Sequence, residues 1–462
     1  QIQGNNFLVI PAKAGISGMI EAKMLNDNLI LKRLLMVFSC KLDSMLAKSL
    51  TLLILFTGII LFTGVMYAQS VNNIELVESI PVETTLDNPD IRNTLEVWLE
   101  MINSAQKTLD IEQFYISNEK GEPLDTVLNA IIAASNRGVK VRVIIDAGMY
   151  QTYPETADEL DKYDNIEVRK IDIRSLTGGI QHSKYFIVDG KEVFLGSQNF
   201  DWRALKHIHE LGVHISSSEL SGFYSELFKY DWCSAGSEDT CKFNVTLPQV
   251  QVFDTEKFGW VSTKPSYSSF GIFKNVQYPP NYSFWDFGTL PHTRFFDISQ
   301  ILQMINSARS EINLQFLSYN PVTKEGYWEE VDTALISATK RGVKVKLLVS
   351  DWNLSKTAVE HFKELIQYPN FEVRYTAIPE YSGGAIPYAR VEHCKFITAD
   401  DITWIGTSNM SYDYFYESRN LGVVVESDKF TKRVRDIFYK SWESLYANPI
   451  ESSGEYTPRK RN

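Results

Sequence analysis

The sequence predicts an α/β fold made of two copies of one unit, set as two lobes about a pseudo-twofold with one active site shared between them. Three observations predict it. Strand-like β-branched runs alternate with helical periods, which implies a largely parallel sheet covered on both faces. Phrases recur in the same order roughly two hundred residues apart, the period of a duplicated domain and not of a solenoid. They are Met101-Ile-Asn-Ser-Ala105 with Met304-Ile-Asn-Ser-Ala308, Gln113-Phe114 with Gln315-Phe316, Arg137-Gly-Val-Lys-Val141 with Arg341-Gly-Val-Lys-Val345, and Leu211-Gly-Val213 with Leu421-Gly-Val423. Each copy also holds one octet of the form H-x-K-x4-D: His182-Ser-Lys184-Tyr-Phe-Ile-Val-Asp189 and His393-Cys-Lys395-Phe-Ile-Thr-Ala-Asp400.

Length and composition admit this architecture. The chain has 462 residues, enough to bury more than one core, and its 44% apolar and 22% charged content is ordinary for a globular protein. A net charge of −11 argues against a generally basic nucleic-acid binder, so a polyanion must be met by particular lysines and arginines lining one cleft.

Residues 1–48 are read as an N-terminal extension. The sequence opens on Gln1, the stretch has no clear amphipathic period, and Met45-Leu-Ala-Lys48 would suit a start with a short basic leader. Residues 49–68 carry no charge and are long enough to span a bilayer; they end in Val-Met-Tyr-Ala68, a loose small-residue cleavage signature. A cleaved signal peptide and a retained signal anchor both fit. With Lys32, Arg33, Lys41 and Lys48 on the near side, either sends the following domains across a membrane. The expectation is export to a secreted, periplasmic or lumenal location, anchored to the membrane if the segment is kept.

The first unit is placed at 75–242. A helix ending at Asn103-Ser-Ala105 leads to a strand over Thr108–Ile116, and a second helix over Leu124–Arg137 turns at Gly138 into the strand Val139–Ile145. Lys184–Val188 and Glu192–Leu195 flank Asp189-Gly190, a strong hairpin signal. Alternation along a strand puts His182 and Lys184 on one face, and His393 and Lys395 likewise. Cys233 and Cys241 enclose a short polar loop and are a disulfide candidate in an oxidising compartment. Residues 243–292, rich in proline and aromatics, are expected to be a connection with long loops. The second unit, 293–448, repeats the order with strand Glu311–Ser318, helix Glu330–Arg341, strand Val343–Val349 and a hairpin around Asp400. The polar tail 449–462 ends Arg459-Lys-Arg-Asn462 and is expected to be disordered, its basic run solvated. Asn244, Asn281 and Asn353 head glycosylation acceptors if the source is eukaryotic.

The twin octets carry the chemistry. A phosphodiester resists attack because its oxygens are negative and its leaving alkoxide is poor. A site needs cations on the non-bridging oxygens, a nucleophile, and an acid behind the leaving oxygen. Two lobes about a pseudo-twofold would set His182 and His393 on opposite sides of one phosphorus, with Lys184, Lys395, Asn199 and Asn409 on the non-bridging oxygens. The Ser197, Thr407 and Ser408 hydroxyls are further substrate-binding candidates. Gly196 and Gly406 follow each hairpin as structural positions, and Asp189 and Asp400 are read as turn residues that hold the hairpins. No cofactor and no metal are expected, since no cluster has metal-ligand spacing; Cys394, His207, His209, His214, His292 and His361 are read as packing or surface residues.

With these motifs, and with Thr177-Gly-Gly-Ile-Gln-His182, Asn199-Phe-Asp-Trp202-Arg203 and Glu210-Leu-Gly-Val213, the chain resembles the phospholipase D superfamily over roughly residues 75–448, and within it the endolysosomal exonuclease branch. The resemblance implies two phospholipase-D-like αβαβα domains and a two-step route. His182 is the nucleophile that forms a phosphohistidine, and His393 is the acid/base. It also implies Glu210 as the carboxylate that orients the nucleophilic imidazole, with Asn420 at the matching place in the second unit.

The implied substrate is a phosphodiester. Single-stranded DNA or RNA is favoured by the branch resemblance and by Trp202, Arg203 and Lys206 beyond the first motif, an aromatic and cations suited to base stacking and backbone grip. A phospholipid headgroup, hydrolysed or exchanged by a phospholipase D or transphosphatidylase, is the alternative, favoured by the apolar segment. A non-catalytic membrane-associated relative is the third reading, set against two intact histidines. A homodimer is left open.

Overall fold

The phrases that recur in sequence are the places where helix meets strand. In the first unit the helix Thr94–Ser104 starts at Asn93, whose side chain accepts from Leu95 N, an N-cap. Its last carbonyls are met by the Arg137 guanidinium, which donates to Asn103 O at 3.2 Å. In the second unit Arg341 donates to Ile305 O at 2.8 Å and Ala308 O at 3.2 Å, beyond the helix Asp297–Ser307. Gly138 and Gly342 then take φ of +92° and +91°, which a Cβ disfavours. They close the helices Pro123–Asn136 and Glu330–Lys340 and turn the chain into the strands Lys140–Asp146 and Lys344–Ser350. The two repeated phrases persist together because the arginine of one caps the helix of the other.

The computed structural model describes residues 72–236, 250–268, 296–323 and 326–461. The extension 1–48, the apolar segment 49–68, Cys241, Asn244, Asn281 and His292 lie outside them. Among the described residues no helix is long and apolar enough to cross a membrane.

Two large sheets form, one per unit. The first runs Arg92–Asn93, Asn73–Ser79, Glu210–Ser216, Glu192–Gly196, Tyr185–Val188, Thr108–Gln113, Lys140–Asp146, Ile166–Ile171. The second runs Gln251–Thr255, Gly259–Tyr267, Leu421–Glu426, Ile402–Gly406, Phe396–Ala399, Glu311–Gln315, Lys344–Ser350, Phe371–Thr376, Ala447–Pro449. The α/β class and the duplication stand; the largely parallel sheet does not. Thr108–Gln113, Lys140–Asp146 and Ile166–Ile171 run parallel, joined by helical crossovers. The motif hairpin is antiparallel within itself, as a tight turn requires, and its strand Tyr185–Val188 also lies antiparallel to Thr108–Gln113.

Two further expectations are corrected. The described part of the connection is not loop: Gln251–Thr255 and Gly259–Tyr267 form a hairpin that joins the second sheet alongside Leu421–Glu426. Nor is the tail disordered. Ala447–Pro449 pairs with Phe371–Thr376, Tyr456 packs edge-on to Tyr375 at 5.8 Å, and Arg459 donates to Ile378 O at 2.6 Å. Its polar composition concealed backbone pairing and buried carbonyl partners. Asn353, one of the glycosylation acceptors, is 4% exposed and its side chain is engaged by Tyr319 N and Asn320, so it is closed to modification.

The lobes share apolar packing. Phe223 on the helix Ser218–Ala235 of the first unit packs on Tyr267 of the second at 5.6 Å, and Tyr224 donates to Gly422 O at 2.7 Å. That fixed seam is where the motifs meet.

Candidate active site

The seam carries two matching backbone bridges. His182 N donates to Arg419 O and Arg419 N to Ile180 O, both at 2.9 Å. In the matching place His393 N donates to His209 O at 2.9 Å and His209 N to Val391 O at 3.1 Å. Each motif histidine is thus pinned to the opposite unit through its backbone. The residue after each bridge, Asn420 or Glu210, is placed to meet its ring.

The ring partners are therefore crossed. Glu210 Oε2 lies 2.7 Å from His393 Nδ1, and Asn420 Oδ1 lies 3.1 Å from His182 Nδ1. The expectation that Glu210 orients His182 is corrected: each unit orients the other's histidine. Glu210 opens the strand Glu210–Ser216 and Asn420 immediately precedes the strand Leu421–Glu426, each next to a backbone bridge across the seam. Asn420's orientation is fixed by two further contacts. Its Nδ2 donates to Tyr414 O at 2.9 Å and its Oδ1 accepts from the Thr407 hydroxyl at 2.8 Å. The His182 Nδ1 must then carry the proton, which leaves the Nε2 lone pair free.

Lys184 and Lys395 are fully buried, each ammonium on the carbonyl of its own motif histidine, at 2.6 Å for His182 O and 2.8 Å for His393 O. Burial, then the neighbouring Lys395, pushes the Lys184 ammonium well down, and burial brings Lys395 to about 8. Burial and then the two lysines hold both imidazoles well below their ordinary range, and His393 also feels His182. Burial pushes the Glu210 carboxyl up against the pull of the lysines. Two imidazoles and two ammonium groups from different units act on one another at one site. Such a cluster favours an anion.

A sequence profile of the family described as "Cardiolipin synthase, PLD-like domain" matches residues 98–232 and 301–442, both units and more than half of the chain. The chain belongs to the phospholipase D superfamily. It is similar to phospholipase D Y of Dictyostelium discoideum, 29% identical over 417 residues, 82% of this chain and 92% of that protein. It is also similar to the 5'-3' exonuclease PLD3 of Macaca fascicularis, 28% identical over 420 residues, 82% of this chain and 81% of that one. Among solved structures, a phosphatidylserine synthase from Haemophilus influenzae superposes with a TM-score of 0.54 at 11% identity over 77% of this chain and 85% of its own; that likeness shows the fold alone. This phospholipase D superfamily member is a phosphodiesterase.

The remaining candidates fall into three groups. Asn199, Asn409, Ser197, Thr407 and Ser408 are buried, and the Oδ1 atoms of Asn199 and Asn409 and the Ser408 hydroxyl have no partner among the described residues. Ser197 and Thr407 accept from the N–H groups of Leu211 and Leu421, at 3.0 and 3.2 Å. Asp189 and Asp400 sit in the hairpin turns at φ of +52° and +53°. Asp189 accepts from Gln106, Lys107 and Thr108 N–H, and Asp400 from Arg309, Ser310 and Glu311 N–H, at 2.7–3.1 Å. A Cβ on Gly196 would stand 2.5 Å from Gly212 Cα, and one on Gly406 would strike the Trp404 ring at 2.2 Å.

Trp202 and Arg203 are both engaged within the first unit. Arg203 is 7% exposed and ion-pairs with Asp201 at 2.8 Å, and Trp202 packs on the first core and edge-on to His207 at 5.6 Å. Lys206 pairs with Glu122 at 2.8 Å. Phe114 and Tyr414, half-buried, flank the His182 ring at 4.9 and 4.7 Å.

Behind the site lie two buried ion networks that the separate motifs gave no hint of. His209 bridges Glu392 at 2.7 Å and Glu78 at 3.0 Å. Burial would lower its pKa, yet Cys394 and Glu392 raise it well above the ordinary value. Arg419, in the matching position, pairs with Asp231 at 2.8 Å. His209, Glu392 and Cys394 are also the described residues whose ligand atoms converge most like a metal site, within 4.8 Å of one another, but both His209 nitrogens already face carboxylates.

Proposed function

We propose that the protein removes nucleotides stepwise from single-stranded DNA or RNA through a phosphohistidine. The carrying observation is the unequal pair of orienting groups. Asn420 leaves His182 neutral with Nε2 free, as a nucleophile requires. The Glu210 carboxyl on His393 Nδ1 is the group that can work against the burial and the lysines lowering that ring, and so favour the protonated form an acid requires. His182 Nε2 attacks phosphorus, the P–O bond to the leaving group breaks, and that oxygen takes the His393 proton. His393 then accepts a proton from water, whose oxygen displaces His182 from phosphorus. Lys184 and Lys395 hold the non-bridging oxygens throughout.

Phe114 and Tyr414 beside His182 suit a base stacked next to the scissile phosphate. The similarity to a 5'-3' exonuclease points the same way. The test is end-labelled single-stranded DNA and labelled phosphatidylcholine offered side by side, with EDTA present. Stepwise shortening of the DNA is expected. Choline release or a phosphatidylalcohol in primary alcohol, with the DNA intact, assigns lipid chemistry instead.

A further inference from the structure

The cavities beside the seam differ in the sign of their walls. One, about 1340 Å³, is bordered by Glu329, Glu330, Asp413 and Glu417 and by no lysine or arginine among its described lining. Another, about 470 Å³, sets Asp146 and Asp172 against Arg174. One of about 580 Å³, large enough for a nucleotide, has no carboxylate in its described lining; Asn320, Trp352, Ser355, Thr357, His361 and Arg461 form its polar and aromatic walls. Of these three, in a chain of net charge −11, it is the one whose walls put no carboxylate against a phosphate chain.

Its position and its arginine are both built in. Asn320 N donates to Met410 O at 2.8 Å, so the cavity wall is bonded to the residue next to Asn409. Arg461 acts electrostatically on Tyr414, whose ring meets His182. The ordered tail brings this cation there: Arg459 lies 3.8 Å from Asp351 and 3.9 Å from Glu380, and Arg461 O accepts from Tyr388 N at 3.0 Å. Arg461 meets no carboxylate among the described residues; its guanidinium stands 5.1 Å from the Trp352 ring centroid.

We propose that this cavity is a second phosphate subsite, in which Arg461 over Trp352 holds a phosphodiester of single-stranded nucleic acid further along the strand from the one being cleaved. The Ser355 and Thr357 hydroxyls add donors to the same oxygens. The inference rests on the nuclease reading and extends it to a substrate longer than one linkage.

The test uses the full chain carrying Arg461→Ala. The KM for a long oligonucleotide rises at least about tenfold, the effect of one lost charge-assisted contact, while a dinucleotide and bis(p-nitrophenyl) phosphate are turned over as before. The slope of log KM against log salt for the oligonucleotide becomes shallower by about 0.7, one single-strand phosphate contact; Arg461→Lys restores most of both. An unchanged oligonucleotide KM and slope, or an equal loss on all three substrates, overturns the subsite. Weakened binding to anionic phospholipid vesicles with oligonucleotide kinetics intact makes it a headgroup site and overturns it too. A wild-type chain that hydrolyses bis(p-nitrophenyl) phosphate but no oligonucleotide removes the nuclease reading first.

Discussion

Asn420 and Glu210 occupy matching places and differ by a carboxylate against a carboxamide, and the roles of the two imidazoles follow from that difference. Asn420→Ala removes the acceptor that fixes the His182 tautomer, and kcat on bis(p-nitrophenyl) phosphate is expected to fall by about 10²-fold or more with the fold retained by circular dichroism. The pH profile follows from the downward shifts of both histidines. In the free enzyme the proton that His393 must donate is held only in acid, so kcat/KM falls as pH rises toward neutral, and Glu210→Gln moves that fall to still lower pH. A profile flat across that range contradicts the assignment. The octets, the lysines and the asparagines were legible in sequence because duplication printed them twice. The crossing of Glu210 and Asn420 was not, since which ring each reaches depends on a seam that no single unit contains. Trp202 and Arg203 misled for a related reason: Asp201, their neighbour in sequence, takes the arginine's charge inside the first unit.

At the level of elements, the hairpins and helix ends were readable from local chemistry, the Asp-Gly turn and the Arg-Gly pairs. Asp189 ties its turn to the start of the neighbouring strand through three N–H groups. Asp189→Ala is expected to lower unfolding free energy by about 1–3 kcal/mol in urea titration, for donors left without their acceptor, with KM unchanged. His214 clamps the strand Glu210–Ser216 between Glu75 at 2.7 Å and Glu192 at 2.9 Å. Burial opposes its charge, but these carboxylates raise it to about 9. A raised histidine stabilises fully below its ordinary value of 6.5 and loses that contribution as pH climbs through 9. Wild type should therefore lose on the order of 3 kcal/mol across that window, and His214→Gln should flatten the curve; parallel curves would assign the clamp elsewhere. The hairpin Gln251–Thr255/Gly259–Tyr267 and the tail were illegible because their partners, Leu421–Glu426 and Phe371–Thr376, are distant in sequence and their own composition is mostly polar.

Across the whole molecule, the shared apolar packing and the crossed partners make the two units one catalytic body. Expressed apart, the first and second units are each expected to be inactive on bis(p-nitrophenyl) phosphate, and activity is expected to return on mixing in proportion to the complex formed. Activity in either one alone would show that a unit can complete its own site.

The bridges between Arg419 and His182, and between His209 and His393, bear on how such a chain could have arisen. A lone ancestral repeat would have found the group its imidazole needs only on a twin molecule. Joined in one chain, the two halves need not be identical. Glutamate could then drift from asparagine, and histidine from arginine, until one side of the phosphorus was built to attack and the other to protonate.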